Sequence, residues 1–521
     1  MILSTFLIVF ICAVPASETG VEYIPSDSRL YEDIDLLKTS GLISTLPSTS
    51  RPWPRKELFR LFLEADSNGK SQHLNLAQRA ALNRLSWEFG EELQLVKRRK
   101  PVFSFNVDDG VVRADFFSRA HLTKEKQRVG IGTVFNNRPD NRFFFSERIE
   151  MSFLNPREPR VFDSSGCHNP NSRVISWRDR VLFEMERAYF GFKLPWVRME
   201  IGRDELFWGP GYLSSVMLSD NAPALDQIQF SLTGPNLKFI SFTAMLSRWN
   251  ERHPFLSAQR LEVSLCQRLT IGGAMFNVYT YESAQDFSGM LNPLLPLYFS
   301  VANSGHGDNL LVGGDAVLYL PRTKIYGQLL IDNFEFNTRK DAPNCVGLQT
   351  GIFFTPQIPI DIRLEYALVT AFTYYHRLRD IIFANYSVPL GHEIGPDADQ
   401  LWGRVRFTIF DWLQTSLSAD YTRRGFYNRG DLDRLCFDLS TDTVFLRRYY
   451  EFPARGWDSA GTVVEEVERT LRIGPEVEFS PLPELYLLTK AALSYCQHPE
   501  GAPNRKRVQP EFFIKVEYRY R

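Results

Sequence analysis

From Pro101 to the end of the chain, apolar and polar residues alternate with a period of two, the spacing of β-strands. In Glu511–Tyr520, Phe512, Ile514, Val516, Tyr518 and Tyr520 alternate with Phe513, Lys515, Glu517 and Arg519. In Ile360–Tyr366, Ile360, Ile362, Leu364 and Tyr366 alternate with Asp361, Arg363 and Glu365. Val197, Met199 and Ile201 alternate with Arg198 and Glu200, and Val405, Phe407 and Ile409 with Arg404, Arg406 and Thr408. Each strand thus has an apolar face and a face that is often charged. A soluble sandwich alternates too, so strand length and connection length must decide. The strands often run about ten residues, enough for a tilted bilayer crossing. Tight turns fall at 194–196, 233–236, 320–322, 355–357, 410–412 and 481–483. Between them lie long polar connections near 154–179, 248–258, 283–308, 375–399, 426–465 and 497–507. Short turns on one side and long loops on the other mark an outer-membrane barrel, with the turns in the periplasm. Following the hairpins, strand 111–122 leaves the periplasm first and strand 508–520 returns to it. The fold class predicted is mainly β, a transmembrane antiparallel β-barrel of about eighteen strands spanning 101–521, an even number as closure requires. Lipid cannot satisfy exposed backbone groups, so such strands must close on themselves, with their charges facing the lumen.

The pattern before Pro101 is different. Residues 18–100 read as a small helical segment on the periplasmic side. Leu30, Ile34 and Leu37 recur at helical spacing, and Gly41 can end that helix. Pro54 stands where a first helical residue would, ahead of Leu58, Leu61 and Phe62. Leu82, Leu85, Phe89 and Leu93 form a third stripe. The plain reading is a small bundle without activity of its own; the functional one is a plug or docking surface. Residues 1–17 read as a signal peptide, with an apolar run from Ile2 and small residues at Pro15-Ala16-Ser17, although no basic residue precedes the run. Cys12 follows Ile11, where a lipoprotein signal wants a small residue.

Composition narrows the function. The net charge of −1 lacks the basic excess of a nucleic-acid binder, so no nucleic-acid partner is expected. An aromatic content of 14% suits strands and membrane girdles. The chain has no CxxC pair, and its His are scattered, so neither a metal nor a cofactor is expected. A Cys167–Cys345 loop disulfide is one possibility that sequence cannot establish. There is no GxSxG elbow, no HExxH and no phosphate loop, and Asp204 and Glu205, being adjacent on a strand, point to opposite faces. The chain therefore reads as a non-enzyme.

Several stretches stand out as candidate carbohydrate contacts. Gly202–Tyr212 packs aromatics between glycines and a proline, and Trp208 and Tyr212 could stack on sugar rings. The alternative is that this loop folds into the lumen, with Arg203 and Asp204 pairing. Gly391–Asp399 brings His392 close to Asp397 in a Gly/Pro loop, where a solvated turn is the plainer reading. Asn292–Pro296 and Gly307-Asp308-Asn309 share that ambiguity.

These stretches, in this order, resemble the capsule assembly Wzi family. The segments carrying the resemblance are Tyr23-Ile24-Pro25 with Leu30–Ile43; Phe207-Trp208-Gly209-Pro210-Gly211 with Leu218–Ala222; Asn292–Pro296; Gly307-Asp308-Asn309 with Tyr326–Asp332; and Gly391-His392 with Gly395–Ala398. The resemblance implies an outer-membrane barrel of about eighteen strands with a periplasmic helical portion. It also implies a lectin-like, non-enzymatic protein that binds surface polysaccharide and attaches capsule or exopolysaccharide to the cell. The alternative function is a porin for small solutes. Candidate sugar-contacting residues are Arg203, Asp204, Trp208, Tyr212, Asn221, Asp308, Asn309, His392 and Asp397. Expected partners are surface polysaccharide and outer-membrane lipid, with the protein acting as a monomer.

Overall fold

The computed structural model describes residues 22–90, 92–93, 111–123, 127–138, 142–154, 174–177, 181–247, 253–280, 292–293, 295–299, 308–333, 345–376, 379–386, 388–425, 453, 456–457 and 463–520. Among these, eighteen antiparallel strands pair in chain order into a closed barrel, from Val111–Thr123 round to Lys506–Tyr520. The ring shuts where Phe116 pairs with Tyr520 and Thr123 with Phe513. A short strand, Val174–Trp177, folds back on Val181–Lys193 above the ring.

Polarity is inverted across the wall. Outward Leu348, Leu364 and Phe407 are 40%, 46% and 41% exposed, while inward Gln349, Arg363 and Arg406 are 0%, 2% and 4% exposed. A soluble protein would place these the other way round, and an apolar outer surface of this kind is stable only in lipid. Trp196 and the stacked pair Phe410–Trp412, with centroids 5.0 Å apart, sit at the tight-turn end, as an aromatic girdle requires. Among the described residues no helix is long and apolar enough to cross a membrane.

Every tight turn predicted from the sequence joins two strands of the ring. Connections missing from that reading include the turn between Cys266 and Leu269, which lacks Gly and Pro, and the links from Thr123 to Gln127, from Arg138 to Phe143 and from Asn333 to Cys345.

Ahead of the barrel come helices α1 (Leu30–Thr39), α2 (Arg55–Gly69) and α3 (Leu76–Glu88). The apolar stripes named above meet in one core of Ile34, Leu37, Leu58, Leu61, Phe62, Leu82, Leu85 and Phe89. Gly41 takes a positive φ of 90° and lets Leu42 N–H return to the Leu37 carbonyl, closing α1. Pro54 is the cap of α2, one position earlier than expected. Asn75 and Gln78 form a reciprocal capping box on α3. The bundle sits across the tight-turn mouth. Asn75 Nδ2 donates to the Gln357 and Ile358 carbonyls at 3.2 and 3.3 Å, and Asn83 Nδ2 to Asp411 at 3.1 Å. The signal-peptide reading, and Cys167 of the possible disulfide, lie outside the described residues.

Candidate functional site

The lumen is filled by a plug built from three stretches of chain that are far apart in sequence. The first is the segment from Tyr23 to Arg55, which includes α1. Its Ser50–Arg51 pairs antiparallel with Phe207–Trp208 inside the barrel. Wall residues grip this segment. Arg260, with its side chain wholly buried, forms an ion pair with Asp315 at 2.7 Å and donates to Ser50 Oγ at 2.7 Å and Thr49 Oγ1 at 2.6 Å. Ser48 and Ser50 hydroxyls donate to Glu262. Arg198 lies 3.6 Å from the centre of the Tyr23 ring, and Arg187 donates to the Tyr23 carbonyl at 3.1 Å.

Helix α1 adds the main electrostatic contact. Glu32 and Asp35 stand at i and i+3, on one helical face. Glu32 meets Arg406 at 2.8 Å and Arg404 at 3.2 Å; Asp35 meets Lys324 and Arg363, each at 2.9 Å. Arg29 reaches Glu478 at 2.7 Å. Burial opposes ionisation of Glu32, yet Arg404, Arg406 and Arg363 hold its carboxyl well below the usual carboxylate range. Burial opposes ionisation of Asp35 as well, and Lys324 with Arg363 outweighs it. Both acids are therefore charged at neutral pH, and this latch weakens only as pH falls through their depressed values.

The second stretch, Glu205–Pro223, folds back into the lumen. Gly209 has a φ of 129°, and a Cβ there would lie 2.3 Å from the Gln328 amide. A Cβ on Gly211 would lie 2.0 Å from the Ser214 carbonyl. Only glycine allows this loop to press against the hydrogen-bonded wall pair Gln328 and Gln349. Glu365 of the wall accepts from the Tyr212 and Leu213 N–H groups at 2.8 and 3.2 Å. Tyr212 then joins the two stretches: its hydroxyl donates to Glu32 at 2.6 Å and accepts from Arg404 at 2.5 Å.

The third stretch, Thr370–Asp397, packs over the second on the long-loop side. Tyr374 Oη donates to the Val216 carbonyl at 2.8 Å and accepts from His392 N–H at 3.1 Å. Asn221 Nδ2 donates to the Pro389 carbonyl at 3.0 Å, and Ser219 N–H to that of Leu390 at 2.8 Å.

The nine candidate residues therefore separate. Trp208, Asn221, Asn309 and His392 come together in or around the plug, with Asn309 donating to the Ile381 carbonyl at 3.0 Å. Trp208 is fully buried against Phe242 and Phe276, with ring centres 5.2 and 5.5 Å away. It is a packing residue here and not an open stacking platform, because its faces are already covered. Asp204, Asn309, His392 and Asp397 are likewise enclosed. The expected Arg203–Asp204 pair does not form, because the two side chains point to opposite faces of one strand. Asp204 turns inward to Arg187 at 2.7 Å, and Arg203 outward to Asp226 at 2.7 Å. Tyr212, Asn221 and Asp308 are only partly covered, and Asp308 accepts from Asn277 at 3.3 Å.

Sequence reasoning did not single out the residues that hold the plug: Glu32, Asp35, Arg260, Glu262 and Asp315. The inward charges at Arg363, Arg404 and Arg406 were visible as alternation, but nothing local signalled their partners Asp35 and Glu32, more than 300 residues away. The plug is also lopsided. The three strands that close the ring after Leu413–Arg424 keep Arg472, Lys490 and Glu511 side chains 35%, 45% and 37% exposed although they face inward. A cavity of about 610 Å³ runs along this side, past Arg29, Tyr212, Asp220, Trp412, Glu478 and Tyr486.

His392 gives a pH test of the plug. Burial pushes its imidazole down to about 3, against about 6.5 in an unfolded chain. The unfolded chain gains this proton as pH falls below about 6.5, and the folded plug does so only near 3, so the fold loses stability across that window. His392→Gln should make the thermal midpoint fall less between pH 7 and pH 4.5, the two proteins diverging by at most roughly 1.4 kcal/mol for each pH step of one. Equal falls for both proteins would show that His392 does not titrate this way.

A family model described as capsule assembly protein Wzi matches residues 106–474, well over half the chain. The chain belongs to the capsule assembly protein Wzi family. Its barrel is similar to that of Wzi from Escherichia coli, with a TM-score of 0.61 at 14% identity, covering 95% of this chain and 98% of that one. That protein is described as an outer-membrane protein involved in group 1 capsule assembly and a carbohydrate-binding β-barrel. Two Pseudomonas aeruginosa structures are far more distant. OprD has a TM-score of 0.44 at 10% identity, covering 80% of this chain and 98% of its own. OpdK has a TM-score of 0.46 at 7% identity, covering 79% and 99%. Comparison with curated proteins gives no match.

Proposed function

We propose that this Wzi-family barrel sits in the outer membrane as a monomer, binds surface polysaccharide and helps attach capsule or exopolysaccharide to the cell, without catalysing a reaction. The helical bundle and tight turns face the periplasm; the long connections and the upper plug face outward. Family membership supports the reading, and so does the E. coli relative's description as carbohydrate-binding. The observation that carries it is the plug. A porin needs a continuous aqueous path, whereas here buried ion pairs, a helix and two infolded loops cross the lumen. Tyr212, Asn221 and Asp308 are partly covered candidates that a glycan could reach, and Tyr212 lines the cavity in the lumen.

Deleting the gene should lower cell-bound polysaccharide and raise the fraction released to the medium, measured by staining and by uronic-acid or hexose assay. Unchanged cell-bound glycan would sink the attachment role. In planar bilayers the intact protein should show no steady conductance; a stable open channel would favour the porin reading.

A further inference from the structure

Among the described residues, a row of five polar and charged positions interrupts the apolar pattern of the barrel's outer face. Strand register places Asp399 opposite Arg423, Arg423 opposite Arg469, Arg469 opposite Gln497, and Gln497 opposite Lys506. All five share the parity of the lipid-facing residues on their strands: Leu401, Tyr421, Leu471, Leu493 and Val508. The row lies at the long-connection end of these strands. Toward the tight turns, the next outward row is Leu401, Tyr421, Leu471, Tyr495 and Val508, which is aromatic and aliphatic. The charges therefore stand at the boundary where the apolar belt ends.

Within the row, two guanidinium groups occupy directly opposed positions, an arrangement that is destabilising on its own. Asp399 answers only one of them, holding Arg423 through two hydrogen bonds of 2.8 and 2.5 Å, with Tyr366 donating to the same carboxylate at 3.0 Å. Among the described residues Arg469 and Lys506 have no acidic partner, and both are exposed. Gln497 is turned to Tyr495, 3.1 Å away, leaving the two cations flanking it. A fixed Arg–Asp pair thus buttresses two free cations above an aromatic shelf. A phosphate at this height would receive donors from Arg469 and Lys506, while acyl chains below it would lie on Leu471, Val508 and Leu493.

We infer that Arg423, Arg469 and Lys506 form an outward-facing site for the phosphorylated headgroup of an outer-leaflet glycolipid. The inference rests on the orientation proposed above, with the long connections outside.

The test uses the full chain in phosphatidylcholine nanodiscs doped with bisphosphorylated lipid A, dephosphorylated lipid A or phosphatidylglycerol. Native mass spectrometry counts the lipid retained. Bisphosphorylated lipid A should be retained best, and Arg469→Ala/Lys506→Ala should cut its retention about tenfold, as expected for losing charge-assisted contacts. Heat-modifiable gel migration establishes that the variant barrel is folded. Equal retention of the phosphorylated and dephosphorylated forms, or an unchanged double variant, overturns the site. Retention of phosphatidylglycerol equal to that of lipid A overturns the glycolipid assignment. Orientation is read separately. Cys266 is exposed in a tight turn; in a Cys167→Ser/Cys436→Ser background it should react with an impermeant maleimide only after cells are permeabilised. Labelling of intact cells would overturn the outer-leaflet placement even where lipid binding holds.

Discussion

Replacing Glu32 by Gln and Asp35 by Asn together should open the barrel to ions. The two carboxylates answer Arg404, Arg406, Lys324 and Arg363, all almost fully buried in the wall. Removing one partner of a buried pair costs roughly 3–5 kcal/mol, because the remaining charge is left without an answer. Glu32 is 26% exposed at its side chain, so its share should sit at the low end. Arg406 also keeps Asp361 at 2.7 Å, while Arg363 and Lys324 lose the carboxylate they share. The strand ladder is untouched, so the ring should persist while α1 detaches. The expected result is a barrel that still migrates as folded on gels, conducts in planar bilayers and exposes the helical segment to protease. A doubly substituted protein as closed and as protease-resistant as the parent would show that packing alone holds the plug.

Trp208→Ala should be the most damaging single change in the plug. The indole is fully buried, and its neighbours Phe242, Phe276, Val216 and Leu218 belong to one apolar cluster. Truncation of such a side chain costs about 3–5 kcal/mol through lost transfer and an unfilled cavity. The backbone of Trp208 also carries contacts to Leu218, to Ser215 and, through the short ladder, to Ser50. Loosening it should therefore release the loop and the N-terminal segment together. The expected readout is a lower thermal midpoint, with reduced cell-bound glycan as a consequence of a disordered outer mouth. If glycan retention fell with no change in stability, Trp208 would have to contact sugar directly, contrary to its burial.

The barrel was readable from sequence because lipid imposes a simple rule on every strand. Alternation in Ile360–Tyr366 assigned Asp361, Arg363 and Glu365 to the lumen, and all three are buried there. Proline-bearing turns were equally plain, whereas the turn after Cys266 was not, since nothing in Gln267-Arg268 breaks a strand pattern. The infolding of Gly202–Tyr212 was one of two readings on offer, and the glycines decide it through close approach to Gln328 and Ser214. What could not be read was pairing at long range. Glu32 and Arg404 are 372 residues apart, and neither has a local signature of the other. Arg203 and Asp204 show the opposite error, in which adjacency suggested a pair that strand geometry forbids.

The position of the ring's seam has a consequence for biogenesis. The seam joins the first strand to the last, so the wall stays an open sheet until the C-terminus is in place. The plug's N-terminal stretch, Tyr23 to Arg55, however, is made before any strand of the ring. Arg260, Asp315, Lys324, Arg363 and Arg404, which hold that stretch, lie on strands toward the middle of the sheet, away from both free edges. The N-terminal segment can therefore lie down on the curling sheet while both edges are still apart, and be enclosed when they meet. A plug grafted onto the C-terminus would lose that route, having to thread a finished ring through a mouth crossed by turns.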